Sequence, residues 1–123
     1  MKTIYQKLIE DMSKHAAGEY PKESCGIITK NFEYVPCKNI SPRPKESFVL
    51  DPVALLNYED DCWGVFHSHP GDENPLPSED DKKGAVFDEY KFIVGFSNKF
   101  YLYWLDKNID AIRFDDFKEE HLI

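Results

Sequence analysis

The spacing of apolar residues predicts a helix at the start of the chain. Ile4, Leu8 and Met12 recur at intervals of four residues, and Gly18 follows the end of this series. The interval places the apolar side chains on one helix face, and glycine is favoured just beyond a helix end. The pattern therefore predicts an amphipathic helix over about residues 3 to 17.

Short runs rich in β-branched and aromatic residues predict the strands that follow. Residues 25–29 and 32–37 are separated by two polar residues, which favours an antiparallel hairpin. A short strand is predicted at residues 48–50. Residues 62–66 form an apolar run of strand length, which predicts a buried strand.

The second half of the chain contains three further strand patterns joined by polar segments. Residues 92–96, 99–104 and 111–114 predict an antiparallel meander. Short helices are predicted over about residues 52 to 59, opened by a capping Asp-Pro pair, and from Ser78 onwards. The predicted elements indicate the α+β class.

Length and composition indicate one domain with its own core. The chain has 123 residues, of which 41% are hydrophobic and 15% aromatic, which is enough apolar material for a core without disulfides. We assign the domain to residues 1–115 and describe residues 116–123 as a polar C-terminal tail.

Charge and cysteine content exclude several classes of function. Fifteen basic and 23 acidic residues give a net charge of −8 at pH 7, which repels nucleic acid and anionic membranes. The N-terminus has no signal-peptide pattern, and no apolar run approaches the ~20 residues of a membrane span. Three cysteines without a CxxC pair are expected to be buried free thiols. We expect a cytoplasmic protein.

Two histidines follow the predicted buried strand with metal-ligand spacing. His67 and His69 are two residues apart, so a strand directs both imidazoles to one face and Ser68 to the other. A catalytic zinc commonly takes a third protein ligand and leaves one position for water. In the helix predicted to begin at Ser78, Asp81 lies on the same face as Ser78.

Each half of this pattern has an ordinary explanation when taken alone. An isolated His-x-His pair is more often solvated or hydrogen-bonded than metal-bound. A serine followed by acidic residues is a common helix start. Together, and joined by a loop rich in proline and glycine, the two halves favour a metal site.

The same residues resemble the motif of the JAB/MPN/Mov34 family, the JAMM metallopeptidases. The resemblance rests on Glu23, on His67-Ser68-His69-Pro70, and on Ser78 with Asp81. It implies an MPN/JAB, cytidine-deaminase-like fold, with a mixed, mainly antiparallel curved sheet flanked by helices. It also implies one zinc per chain, bound by His67, His69 and Asp81.

The resemblance further implies roles for the two remaining motif residues. Glu23 would act as general base on the metal-activated water, and Ser78 would donate a hydrogen bond to the oxyanion. Eight residues separate His69 from Ser78, against seven in the family motif. Asp80 therefore remains an alternative to Asp81 as the ligand.

The strings around Glu23, Asn39 and Phe48 look most like the prokaryotic and phage branch of the family, especially phage tail-assembly proteins. We expect a zinc-dependent peptidase or isopeptidase, with a protein or peptide substrate such as a phage tail protein. The location would then be the host cytoplasm. The alternatives are a non-catalytic tail-assembly module that keeps its zinc and a small-molecule amidase.

Overall fold

The computed structural model describes residues 4–71, 91–96, 99–103 and 112–113. Within these ranges the elements follow in the order α1 (Ile4–Glu19), β1 (Cys25–Thr29), β2 (Tyr34–Cys37), α2 (Pro52–Asn57), β3 (Cys62–Ser68), β4 (Lys91–Phe96), β5 (Lys99–Tyr103) and β6 (Ile112–Arg113). The α+β class predicted from the sequence is confirmed.

One mixed sheet contains all six of these strands, in the order β2-β1-β3-β4-β5-β6. Strand β3 pairs in parallel with β4, and each of the other four pairs is antiparallel. The predicted hairpin of β1 and β2 and the predicted meander of β4, β5 and β6 are both confirmed. The mixed, mainly antiparallel sheet agrees with the predicted fold.

Helix α1 packs on one face of this sheet. Leu8, Met12 and Ala16 are buried, at 1%, 0% and 2% exposure, whereas Ile4 is 48% exposed. Leu8 and Met12 join a cluster that also contains Ile28, Phe66, Ile93 and Phe100. The periodicity of the sequence thus identified the buried helix face, and the helix runs two residues beyond the predicted end.

The opposite face of the sheet carries a second apolar cluster. Its buried members include Cys25, Ile27, Val65 and Val94, and Ala54 and Leu55 of α2 pack against it. Because successive strand residues point to opposite faces, the neighbours Ile27 and Ile28 enter different clusters.

The start of α2 follows the predicted capping pattern. The side chain of Asp51 accepts a hydrogen bond from the main-chain N–H of Val53 at 3.0 Å, and Pro52 takes the first helical position. The helix ends at Asn57, two residues before the predicted end.

The prediction of a strand at residues 48–50 is wrong. Leu50 forms one isolated antiparallel bridge with Asn39, and no strand is assigned to this stretch of the described chain. Phe48 and Val49 belong to the loop after β2. The polar groups of this loop form hydrogen bonds to one another and to the side chain of Asn39. Local β propensity favoured a strand, but among the described residues no strand lies beside this segment for a longer ladder.

Candidate metal centre

His67 lies close to the end of β3, in the interior of the sheet. It pairs in register with Cys25 of β1 on one side and with Val94 of β4 on the other. Its side chain is fully buried, at 0% exposure. The strand predicted from residues 62–66 extends to Ser68, so His67 is a strand residue, as the metal-site prediction requires.

His69 follows the last residue of β3. Its main-chain N–H donates a hydrogen bond of 3.1 Å to the carbonyl of Gly95, which keeps the exiting chain alongside β4. The rings of His67 and His69 approach edge to face, with centroids 5.1 Å apart. The two-residue spacing therefore brings the imidazoles together, although the strand itself ends between them.

Glu23 reaches the same place from a distant part of the sequence. It lies two residues before β1, and β1 runs antiparallel to β3, so the start of β1 lies beside the end of β3. The carboxylate oxygen Oε1 of Glu23 is 3.5 Å from Nδ1 of His67. Its side chain is 7% exposed, so the carboxylate is held largely out of water.

Two serines connect the ends of these strands. The main-chain N–H of Ser24 donates to Oγ of Ser68 at 2.8 Å, and the N–H of Ser68 donates to the carbonyl of Ser24 at 3.0 Å. These reciprocal bonds hold the residue after Glu23 against the residue after His67. They limit the relative movement of the carboxylate and the imidazole.

Glu23, His67 and His69 form a group suited to binding a metal ion. One ligand atom from each side chain can be chosen so that all of them lie within 4.8 Å of one another. Two imidazoles and a carboxylate form a donor set found at hydrolytic metal sites in proteins. The residues present therefore fit a metal ion.

Three of the five predicted site residues are thus brought together by the structure. Ser78, Asp81 and the alternative ligand Asp80 lie outside the described residues. Their predicted roles stay predictions.

Phe48 and Asn39, whose roles were not predicted from the sequence, support the described part of the site. The ring of Phe48 stacks on the imidazole of His67, with centroids 4.4 Å apart and an interplanar angle of 16°. The side chain of Asn39 donates to the carbonyl of Glu23 at 3.0 Å. An asparagine between two loop segments is a weak signal by itself, because such residues are common in turns.

Cys25 of β1, which pairs with His67, does not carry a reactive thiolate. Burial raises the pKa of Cys25 to about 12, with smaller contributions from Cys37 and Glu23. The thiol is therefore neutral near pH 7, and it lies 3.8 Å from the carbonyl of Lys38. This environment is unlike that of a cysteine nucleophile.

Two aromatic side chains lie near the exit of β3. Tyr20, 57% exposed, stacks with Phe96 at a centroid distance of 5.9 Å. Phe96 follows Gly95, which accepts the hydrogen bond from His69.

No helix in the described part of the chain is long and apolar enough to cross a membrane.

The fold and the site define a small α+β domain with a histidine and glutamate metal-binding group where the start of β1 meets the end of β3. Residues 5–106 match the family model described as prokaryotic homologs of the JAB domain. The chain belongs to this family, as the motif resemblance predicted.

The chain is similar in sequence to three relatives, each over part of its length. It is 43% identical over 84 residues to tail tip assembly protein K of Escherichia phage N15, covering 63% of this chain and 33% of that protein. It is 29% identical over 92 residues to a desampylase of Haloferax volcanii, covering 64% and 66%. A probable TtuB-protein conjugate cleaving protease of Thermus thermophilus is 33% identical over 89 residues, covering 63% and 59%.

The matched region is therefore less than two thirds of each of these relatives. A solution structure from Desulfitobacterium hafniense has the same fold, with a TM-score of 0.66 and 24% identity. That likeness covers 87% of this chain and 86% of the other.

Proposed function

We propose that this protein is a zinc-dependent peptidase or isopeptidase that hydrolyses an amide bond of a protein or peptide substrate. The observation that carries this proposal is the convergence of Glu23, His67 and His69, with ligand atoms within 4.8 Å of one another. Membership of the JAB family supports it. The site would lie in a single domain spanning residues 1–115.

The proposed metal ligands are His67, His69 and Asp81, with one zinc per chain. Zinc in such a site lowers the pKa of a coordinated water and polarises the carbonyl under attack. The spacing of Ser78 and Asp81 supports Asp81 over Asp80 as the third ligand, because the Ser-x-x-Asp interval of the motif is kept.

Glu23 is proposed to act as the general base. A largely buried carboxylate beside a metal site can accept a proton from the attacking water and return it to the leaving amine. The distance of 3.5 Å between its Oε1 and Nδ1 of His67 supports this role. Ser78 is proposed to donate a hydrogen bond to the oxyanion that forms during attack.

The relatives suggest the substrate class. One is a desampylase and another is a protease that cleaves TtuB–protein conjugates. We therefore propose a protein conjugate, joined through an amide bond, as the first substrate class to test. A phage tail protein is the second.

Metal content is the first test. We expect about one zinc per chain by elemental analysis, in keeping with a mononuclear site. The double variant His67→Ala, His69→Ala should lose the zinc, and Asp81→Asn should lose more affinity than Asp80→Asn. A wild-type protein that cannot be loaded with zinc would contradict the proposal.

The variant Glu23→Gln distinguishes whether Glu23 acts as the general base or as a metal ligand. If Glu23 is the base, the variant keeps its zinc and loses cleavage of a TtuB–protein conjugate. If Glu23 is instead a ligand, zinc affinity falls as well. Glu33→Gln is the matched control, because Glu33 is an exposed carboxylate away from the site. Unchanged cleavage by Glu23→Gln would remove Glu23 from the mechanism.

A second function is supported by the likeness to tail tip assembly protein K. The domain would then serve as an assembly module of a phage tail that keeps its zinc without cutting a bond. Complementation of a phage that lacks its own assembly protein distinguishes the two. Rescue by Glu23→Gln would favour the module, and rescue by wild type alone would favour the peptidase.

A further inference from the structure

The loop between β2 and α2, residues 38–51, is organised around the side chain of Asn39. Its Oδ1 accepts hydrogen bonds from the main-chain N–H groups of Ser41 and Val49, each at 3.0 Å. Its Nδ2 donates to the carbonyls of Ser47 and Glu23, again at 3.0 Å. All four hydrogen-bonding directions of the carboxamide are thus used.

The main chain of Glu23 is held by this loop rather than by the sheet. Glu23 precedes β1, so it has no place in the β1–β3 ladder. Its N–H donates to the carbonyl of Pro44 at 2.7 Å, and its carbonyl accepts from Nδ2 of Asn39 at 3.0 Å. Both main-chain polar groups of Glu23 are therefore bonded to the loop.

The same loop also contacts His67, the imidazole that lies beside the Glu23 carboxylate. Phe48 lies in the loop and stacks on the ring of His67. Asn39 sets the shape of the loop on both sides of Phe48, through Ser47 and Val49. One side chain thus connects the segment that holds Glu23 to the segment that covers His67.

We propose that Asn39 is a positioning residue that sets the placement of the Glu23 carboxylate relative to His67. This inference rests on the proposed function in so far as the placement matters for catalysis. The loss of Asn39 donors would free the carbonyl of Glu23 and let the main chain shift. A shift of about 1 Å in a reacting group can cost about 100-fold in rate.

Asn39→Asp is the sharpest variant. It keeps the shape of the side chain and both accepted hydrogen bonds, but it places a carboxylate oxygen against the carbonyls of Glu23 and Ser47. Asn39→Ala is the second variant, because it removes both amide donors and the acceptor oxygen without adding a charge. Thr29→Val is the matched control: Oγ1 of Thr29 accepts from the N–H of Glu33 at 3.1 Å, at the far end of β1.

Three measurements test the effect of these variants on the placement of Glu23. Hydrogen exchange of the Glu23 amide, which is bonded to Pro44, should speed up by about 10-fold or more in both Asn39 variants, as expected for local opening of a hydrogen bond. Zinc titration should show an affinity lowered by no more than about 10-fold, the lower end of the effects of groups that orient metal ligands, because His67 and His69 are unchanged. Cleavage of a TtuB–protein conjugate should show a kcat lowered by about 10-fold or more with little change in KM.

Thr29→Val separates a general loss of stability from a change at Glu23. Thr29→Val should lower the free energy of unfolding without changing kcat or the exchange of the Glu23 amide. If either folded Asn39 variant keeps wild-type exchange at Glu23, Asn39 does not position it. Equal losses of kcat in the Asn39 variants and in Thr29→Val would also overturn the inference. A wild-type protein with no cleavage counts against the proposed function alone, because the exchange measurement still decides the role of Asn39.

Discussion

The ring of Phe48 lies almost parallel to the imidazole of His67, with ring centroids 4.4 Å apart and an interplanar angle of 16°. His67 itself is fully buried. A flat apolar surface on one side of an imidazole restricts ring rotation and excludes water from that side. The stack therefore fixes the plane of the His67 ring, whose Nδ1 lies 3.5 Å from Oε1 of Glu23.

Removal of the Phe48 ring should weaken metal binding. We expect Phe48→Ala to lower zinc affinity by about 10-fold, the lower end of effects seen when groups that orient metal ligands are removed. Competition with a chromophoric chelator measures this affinity. Phe48→Tyr is the control, because it keeps the stacked ring and should bind zinc as wild type does. Equal affinity in the alanine variant would show that the stack does not orient His67.

A side chain at position 26 should destabilise the fold. A Cβ added to Gly26 would overlap the ring of Tyr34, which packs against this glycine. Overpacking of this kind costs about 1–3 kcal/mol of unfolding free energy. Urea denaturation of Gly26→Ala measures the loss.

The matched control for that substitution is Gly18→Ala in helix α1. A Cβ there meets no atom within 4 Å, and alanine is favoured over glycine in a helix by about 1 kcal/mol. Gly18→Ala should leave stability unchanged or raise it. Equal losses in the two variants would contradict the explanation by steric overlap.

The stability of the protein should fall as the pH drops below 6.5 through the titration of His15. Burial lowers the pKa of His15 from 6.5, and Glu19 opposes this in part. Nδ1 of His15 lies 2.6 Å from the hydroxyl of Tyr34, in a partly buried contact. The unfolded chain takes up a proton near pH 6.5 while the folded chain does not. The contribution of His15 is therefore present above that pH and lost as pH falls through the lower, folded value.

The variant His15→Gln tests this dependence. It should show a flatter fall in unfolding free energy between neutral and mildly acidic pH than wild type does. Urea titrations are run in excess EDTA, so that metal release does not contribute to either protein. Parallel pH profiles in the two proteins would rule out His15 as the source.

The three cysteines should differ in their reactivity towards thiol reagents. Burial raises the pKa of Cys25 to about 12 and that of Cys62 to about 11, while Cys37 is only half-buried. A thiol reagent at about pH 8 should therefore modify Cys37 first, since exposure and thiolate content govern the rate. Mass spectrometry of the time course locates the modification. Early labelling of Cys25 would contradict its burial.

These raised thiol pKa values also affect stability at high pH. The unfolded chain ionises near pH 9.0, whereas Cys25 in the folded chain stays neutral up to about pH 12. Stability should therefore be lost as the pH rises from 9.0 towards 12. Cys25→Ala should show a smaller loss over this range in urea titrations than wild type does.

Much of the fold could be predicted because the relevant signals are local. The four-residue spacing of Leu8 and Met12 identified the buried face of α1, and both side chains are buried. The apolar run from Cys62 identified a buried strand. The strand prediction for residues 48–50 was wrong because these residues favour a strand by type, whereas among the described residues they form a single bridge, to Asn39.

The sequence by itself determined the class of fold, most of the elements and the closeness of His67 to His69. Helix and strand periodicity and the two-residue spacing act over a few neighbouring residues. The tertiary structure decided which distant residues meet the two histidines. Main-chain hydrogen bonds between strands are the same for every residue type, so the pairing of Cys25 with His67, which brings Glu23 to the imidazole, depends on how whole faces are buried. The stack of Phe48 on His67 and the hold of Asn39 on Glu23 arise in the same way, from a loop whose course depends on tertiary contacts.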